Sequence, residues 1–251
     1  MADTDRQFRT FYEKISLDKS KRQNLKRSKD AIRKRIRENF KKKDWKTPLF
    51  RSQGSYATKS IINPLQGNDY DIDDGIYLQN LDEDKSKWPT TETVHGWIVE
   101  AVRSHTDTDP TDKQRCVRVH YNGDHHVDLP IYCMYRGDPY LAVKGADQWI
   151  LQDPKKLSDW FKEQRKKLGE TRGDQLLRLM KYIKAWRAKK NGPKLPSGLL
   201  LTVLINNHYQ SNDRDDISYK NTIQSIKENL TWPFTVYNPV DLTENLAGRV
   251  T

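Results

Sequence analysis

The chain has 251 residues, enough to bury a sizeable core as one large domain or two closely packed lobes. Its mean hydropathy of −0.96 is polar for a globular protein, yet 10% aromatic residues, seven of them Trp, exclude a disordered chain. No run of 18 or more apolar residues occurs, which excludes a membrane span, and the charged start MADTDRQFRTFYEK lacks the apolar stretch of a secretory signal, so a cytoplasmic location is expected. The net charge of +11 is concentrated in residues 19–46, where 14 Lys or Arg face only Asp30, Glu38 and Asp44; the rest is nearly neutral.

Phe8, Tyr12 and Ile15 recur at helical spacing and predict a first helix. Leu25, Ile32, Ile36 and Phe40 predict a second, long and basic, ending near Lys43 with Pro48 at its exit. A short apolar segment follows, then Gly54-Ser55 and a helix start. After a turn from Pro64 to Gly67, DYDIDDGIYL alternates as a strand does. Residues 91–105 predict an amphipathic helix, and CVRVHY with HHVDLPIYCMY, joined at the turn signal Asn122-Gly123, predict a hairpin. Cys116 and Cys133, each in such an apolar strand, read as structural thiols. Beyond about Asp153 the pattern becomes helical: WFKEQRKKL, then DQLLRLMKYIKAWRAKK stopped at Asn191-Gly192-Pro193, then a helix opening at Pro196-Ser197-Gly198, then one over 219–229. Trp160 and Trp186 read as core, and the tail WPFTVYNPVDLTENLAGRVT as irregular. The fold class is therefore α+β with its strands in the middle, in three parts: N-terminal helices over 1–46, a mixed region over 47–152 and a helical region over 153–251.

The strongest chemical signal is Asp71-Ile72-Asp73. On a strand, residues i and i+2 project to one face, and two carboxylates so placed can share hard divalent cations, which take oxygen ligands. Taken alone, an acidic strand end is equally a solvated or calcium-binding loop. Asp74 is expected at the polar exit of the strand, and Asp69 is a weaker member of the cluster. Gly54-Ser55 precedes the pair: a glycine lets backbone N–H groups approach phosphate oxygens, and a serine adds a donor. Asp128 follows, set between Val127 and Leu129, and an acid among apolar residues needs a partner such as a metal. His125-His126 reads as a polar hairpin loop rather than as a metal site.

The order Gly-Ser, Asp-x-Asp, then a lone Asp on a later strand resembles the polymerase-β-like nucleotidyltransferase superfamily. The wording QGSYATKSIINPLQGNDYDIDDGIYL followed by VRVHYNGDHHVDLPIY is similar to the cGAS/DncV-like nucleotidyltransferases (CD-NTases) of bacterial CBASS anti-phage signalling, the DncV-like branch especially. The resemblance runs from about Trp45 to Tyr209. It implies a mixed-sheet catalytic core with flanking helices, packed on a C-terminal helical lobe that closes the nucleotide cleft, and a long N-terminal spine helix. It also implies two Mg²⁺ (or Mn²⁺) ions on Asp71, Asp73 and Asp128, with a triphosphate between Gly54-Ser55 and Lys184 with Ser197. Lys181, one turn before Lys184, is the rival assignment, and Ser197 also fits a plain N-cap. The substrates implied are nucleoside triphosphates, ATP or GTP or both, and the product is a cyclic oligonucleotide that activates a downstream effector. Three alternatives stand beside this one: another acceptor (an RNA 3′ end, a linear oligoadenylate or a protein), an inactive nucleic-acid-binding module, and a regulatory subunit of a toxin–antitoxin type pair. The basic helix reads either as a solvated spine or as a nucleic-acid-binding surface. Nothing corresponds to the zinc-binding insertion of the animal relatives. An end at Thr251 is shorter than usual for the family and is expected to mean a compact member or a truncated chain.

Overall fold

A computed structural model describes residues 3–64, 70–79, 81–122, 125–145, 148–190 and 195–249. The expected turn residue Gly67, Asp69, Gly123 and the stop at Asn191-Gly192-Pro193 lie outside the described residues. In chain order the elements are α1 (Asp5–Ile15), α2 (Lys19–Lys42), β1 (Leu49–Gln53), α3 (Gly54–Ala57), β2 (Tyr70–Leu78), α4 (Thr91–Val102), β3 (Thr111–Asp112), β4 (Val117–Tyr121), β5 (His125–Leu129), β6 (Ile131–Tyr135), β7 (Asp138–Val143), β8 (Gln148–Leu151), α5 (Pro154–Lys167), α6 (Gly169–Ala188), α7 (Gly198–Asn207), α8 (Asp215–Asn229), β9 (Tyr237–Asn238) and β10 (Asp241–Asn245). They fall into two compact units, one of residues 18–59 and 68–155, the other of residues 1–17, 60–67 and 156–251.

The first of these units is an eight-stranded mixed sheet, ordered β3-β4-β5-β2-β6-β7-β8, with β1 also paired to β2. Strand β2 is its axis. Antiparallel β1 sets Gln53 opposite Asp73, and parallel β5 sets His126 opposite Asp71 and Asp128 opposite Asp73. Past Pro130 the same register resumes, with Ile76 opposite Ile131 and Tyr77 opposite Tyr132. The stretch expected as one hairpin strand is thus two, β5 and β6, broken where proline has no N–H for the ladder. Strands β7 and β8 extend the sheet, and nothing in the sequence pattern announced them.

Residues alternate faces along β2. Ile72, Asp74 and Ile76 are fully buried, and Asp74 reaches α2 through Arg33. Helix α2 starts at an Asp18 cap that accepts from the Lys21 N–H, and it buries Leu25, Ser28, Ile32, Ile36 and Phe40 as one stripe while most of its charge, Arg33 apart, stays outside. On the opposite face, Tyr77, Tyr132, Leu141 and Val143 form a compact cluster, the two tyrosine rings stacked 4.8 Å apart. Both cysteines are free thiols, as expected. Burial pushes each up to about 12, so neither is poised as a nucleophile.

The other unit is helical. Helix α6 buries Leu176, Leu179, Met180, Tyr182 and Ile183 against Ile15, Phe161, Leu201 and Ile205. A buried polar knot ties it together: Asp215 on α8 accepts from two guanidinium nitrogens of Arg178 (Nε at 2.6 Å and a terminal nitrogen at 2.9 Å), from Gln175 Nε2 and from the Tyr182 hydroxyl. Helix α8 begins at Asp215, earlier than expected, and α4 ends at Val102, earlier than expected. The tail is not wholly irregular, since β9 and β10 pair antiparallel and a 3-10 turn follows. Trp186 is 44% exposed and not core: it continues the stripe of Leu179 and Ile183 into the last turn of α6, past the packed part.

Candidate active site

Register builds the site. Directly paired residues on neighbouring strands project to the same side of a sheet, so the pairs Gln53–Asp73, Asp71–His126, Asp73–Asp128 and Arg118–Asp128 all lie on one face. This is the face that continues into the Tyr77–Tyr132 stack. The three expected carboxylates therefore share a face with an imidazole and a guanidinium. One oxygen each of Asp71 and Asp128 and a ring nitrogen of His126 lie within 4.8 Å of one another.

The electrostatics of that face are strained by like charge. Burial first, then the charges of Asp71 and Asp128, push the Asp73 carboxyl up to about 7, against the opposing pull of Arg118. Arg118 grips Asp128 with two charge-assisted bonds, Nε to Oδ1 at 2.6 Å and the terminal nitrogen to Oδ2 at 2.7 Å. A carboxylate oxygen has two lone pairs, so each oxygen of Asp128 keeps one for another cation. Three crowded carboxylates, with Asp73 raised to about 7 and the Arg118 guanidinium held on Asp128, fit a site for divalent cations, whose oxygen preference matches this donor set.

Gly54 closes against the pair. It stands at φ +60° as the chain leaves β1, and a Cβ there would fall 2.3 Å from Asp73 Oδ2. Only glycine fits between this turn and the carboxylate. The bare backbone at Gly54 and the half-buried Ser55 next to it are held beside the acids. Thr58 stiffens the turn, its hydroxyl donating to the Gly54 and Ser55 carbonyls.

Two expectations are corrected. His126 is no loop residue: it lies within β5, is buried, and neighbours Asp71 and Asp128. The signal was present, because His126 and Asp128 are two apart on one strand. Asp74 is not a polar strand exit but a fully buried acid. It takes Arg33 on both oxygens at 2.6 Å and the Ser52 hydroxyl at 2.9 Å, so one arm of the basic helix is committed inside the fold.

In the helical unit, Lys184 Nζ donates to Ser60 Oγ at 2.7 Å, and its Cε lies by Gly198 at the start of α7. Ser197 caps that helix by accepting from the Leu200 N–H. Lys181 is 2% exposed, with its Nζ on Ser16 Oγ and over the Tyr12 ring. The structure thus places Lys184 beside Gly198, the residue after Ser197, and turns Lys181 inward.

Residues 48–132 match the family described as "Cyclic GMP-AMP synthase DncV-like, nucleotidyltransferase domain". A cyclic GMP-AMP synthase of Escherichia albertii is 28% identical over 200 residues, covering 75% of this chain and 43% of that protein. A c-di-GMP synthase of Roseivirga ehrenbergii is 23% identical over 231 residues, covering 78% of this chain and 59% of that protein. The chain spans about half the length of the curated relatives it matches. Among solved structures, Escherichia coli DncV in its 3′-deoxy GTP bound form matches with a TM-score of 0.78 at 19% identity, over 97% of this chain and 84% of that one. Vibrio cholerae DncV matches with a TM-score of 0.74 at 20% identity, over 93% and 80%. The fold is that of a polymerase-β-like nucleotidyltransferase, as the resemblance implied. Among the described residues, no helix is long and apolar enough to cross a membrane.

Proposed function

We propose that this chain, which belongs to the cGAS/DncV-like nucleotidyltransferases, joins nucleoside triphosphates into a cyclic oligonucleotide second messenger, such as a cyclic dinucleotide, and releases pyrophosphate. The observation that carries this reading is the single sheet face on which Asp71, Asp73 and Asp128 converge beside Gly54.

Asp71, Asp73 and Asp128 would hold two Mg²⁺ or Mn²⁺ ions, which when bound supply charge neutralisation at the transferring phosphoryl group and a lower pKa for the attacking hydroxyl. The chain's own groups do the positioning. The Gly54 backbone, open for want of a Cβ, and the Ser55 hydroxyl donate to phosphate oxygens. Asp128 takes the acceptor side, and Arg118, bound to both its oxygens, fixes the plane of that carboxylate. Lys184 and Ser197 are assigned to the triphosphate. Lys184 is preferred to Lys181 because it lies by the start of α7, where backbone N–H groups favour an anion, whereas Lys181 is buried on Ser16.

The test is incubation of the chain with four labelled nucleoside triphosphates and Mg²⁺ or Mn²⁺, followed by phosphatase and mass spectrometry. A phosphatase-resistant cyclic product of ATP, GTP or both is expected. Asp71→Ala with Asp73→Ala should abolish pyrophosphate release while the circular dichroism spectrum stays the same, and retained turnover in that variant would refute the assignment. The product is assigned to anti-phage signalling through a cyclic-nucleotide-activated effector. Phage plating on cells carrying the intact or Asp71→Ala gene in its native neighbourhood tests that role.

A second reading has its own observation. Lys19, Arg22, Lys26, Arg27, Lys34 and Lys41 are all exposed along α2, a surface fit for a nucleic-acid activator or acceptor. Affinity for RNA or DNA that falls steeply with salt would favour it, and salt-insensitive or absent binding would leave α2 as a solvated spine.

A further inference from the structure

We propose that His126 is a metal ligand of this site and that its imidazole tunes the site toward first-row transition cations, Mn²⁺ and Co²⁺, over Mg²⁺. The inference rests on the assignment of Asp71 and Asp128 as metal ligands and goes beyond it by adding a nitrogen to an all-oxygen set.

Three observations carry it. His126 stands directly opposite Asp71 in the parallel β2–β5 ladder and two residues from Asp128 on its own strand, so all three side chains leave the same face. A ring nitrogen of His126 and one oxygen of each carboxylate lie within 4.8 Å of one another. His126 is buried, at 6% exposed, and so is Asp128, at 8%; a ring held in place beside two carboxylates enters a metal's shell with little loss of freedom. Three ligands around one ion with bonds of about 2.2 Å lie about 3–4 Å from one another. Closing the trio, whose atoms already lie within 4.8 Å of one another, around one ion therefore takes side-chain movements of about 1 Å.

The selectivity follows from ligand chemistry. Mg²⁺ is served by carboxylates and water and gains little from imidazole, whereas affinity for a mixed nitrogen and oxygen set rises along the first-row ions from Mn²⁺ to Co²⁺, so the imidazole adds least for Mg²⁺, more for Mn²⁺ and most for Co²⁺. A site with two carboxylates and a neutral imidazole nitrogen still accepts Mg²⁺ through oxygen alone, but it holds Mn²⁺ and Co²⁺ through one more bond. The neighbouring histidines do not compete for the ion: His125 Nε2 is hydrogen bonded to Ser28 Oγ at 2.9 Å and its ring stacks on Tyr121, while His120 Nε2 is hydrogen bonded to Thr111 Oγ1 at 2.8 Å.

Pulsed electron paramagnetic resonance on the full chain, labelled with ¹⁵N-histidine and loaded with Mn²⁺, tests the bond directly and needs no variant. Histidine-nitrogen coupling to the bound Mn²⁺ is expected, retained in His125→Asn and lost in both His126→Asn and His126→Asp. By calorimetry His126→Asn should weaken Mn²⁺ about tenfold or more, with Mg²⁺ changed less than about threefold. His126→Asp should keep Mg²⁺ binding, which also shows that the altered strand still folds. Mn²⁺ that binds the wild-type chain, is removed by Asp71→Asn, and carries no histidine-nitrogen coupling would overturn the His126 proposal while leaving the carboxylate site standing. Absence of any Mn²⁺ or Mg²⁺ binding to the wild-type chain would overturn the metal-site assignment, and the His126 ligand with it.

Discussion

Replacing Gly54 with alanine separates two costs that usually travel together. The first is backbone strain: at φ +60° an L side chain costs roughly 1–2 kcal/mol, a loss in melting temperature of about 2–8 °C for a chain of this size. The second is collision. The new Cβ would lie 2.3 Å from Asp73 Oδ2, 3.3 Å from its Cγ and 3.7 Å from its Cβ, so the carboxylate must retreat by roughly 1 Å to reach ordinary contact. Asp73 has a short side chain on a central strand, with β1 paired on one side and β5 on the other, and cannot swing clear. A displacement of about 1 Å at a catalytic group costs on the order of 100-fold in rate. Gly145→Ala is the matched control: φ there is +88°, and nothing lies within 4 Å of the added Cβ. Both variants should lose similar thermal stability in scanning fluorimetry, but only Gly54→Ala should lose pyrophosphate release, by about two orders of magnitude. Equal turnover in the two variants would refute the claim that this glycine exists to seat Asp73.

Other perturbations follow from the same geometry. The Asp73 carboxyl is raised from its ordinary range to about 7, so the folded chain binds more protons than the unfolded one between about pH 4 and pH 7. Without metal, stability should therefore fall as pH rises through that window. Asp73→Asn should remove the decline, read by urea unfolding in EDTA, and a flat wild-type profile would contradict it. Arg33→Met strands the fully buried Asp74 without its counter-ion and should cost about 3–5 kcal/mol in denaturant unfolding, with Asp74→Asn restoring a large part. Lys184→Ala should raise the KM for ATP about tenfold with the fold intact, while an unchanged KM would return the triphosphate assignment to other residues.

Much of the site was legible because it is local. Gly54-Ser55, Asp71-Ile72-Asp73 and Asp128 each announce themselves within a few residues of sequence, and strand alternation alone orients the acids. His126 was misread because its position beside Asn122-Gly123 suggested a loop, although its spacing from Asp128 already placed it on the metal-facing side of β5. Asp74 was misread for a different reason. Its partner Arg33 lies 41 residues earlier, hidden in a run of exposed cations, and no local pattern marks which arginine turns inward. Arg118 is invisible in the same way, since its role depends on the antiparallel pairing of β4 with β5. The tail hairpin β9–β10 escaped because its second strand is exposed throughout and shows no alternation to read.

The register of β2 with β5 and β6 has a consequence for how this chain can vary. The connections over 81–90 and 103–110 can gain or lose length without moving any acid, because they lie outside the strands that seat Asp128 beside Asp73 and Arg118. A single-residue insertion between His126 and Ile131 is another matter: it would invert the parity of everything on one side of it relative to β2, sending either the acid and imidazole or the Tyr132 ring through to the helix side of the sheet. Pro130 sits inside that short span, where the chain counts in twos and no half step is tolerated. Length changes in natural variants should therefore gather in those connections and be absent from these six residues.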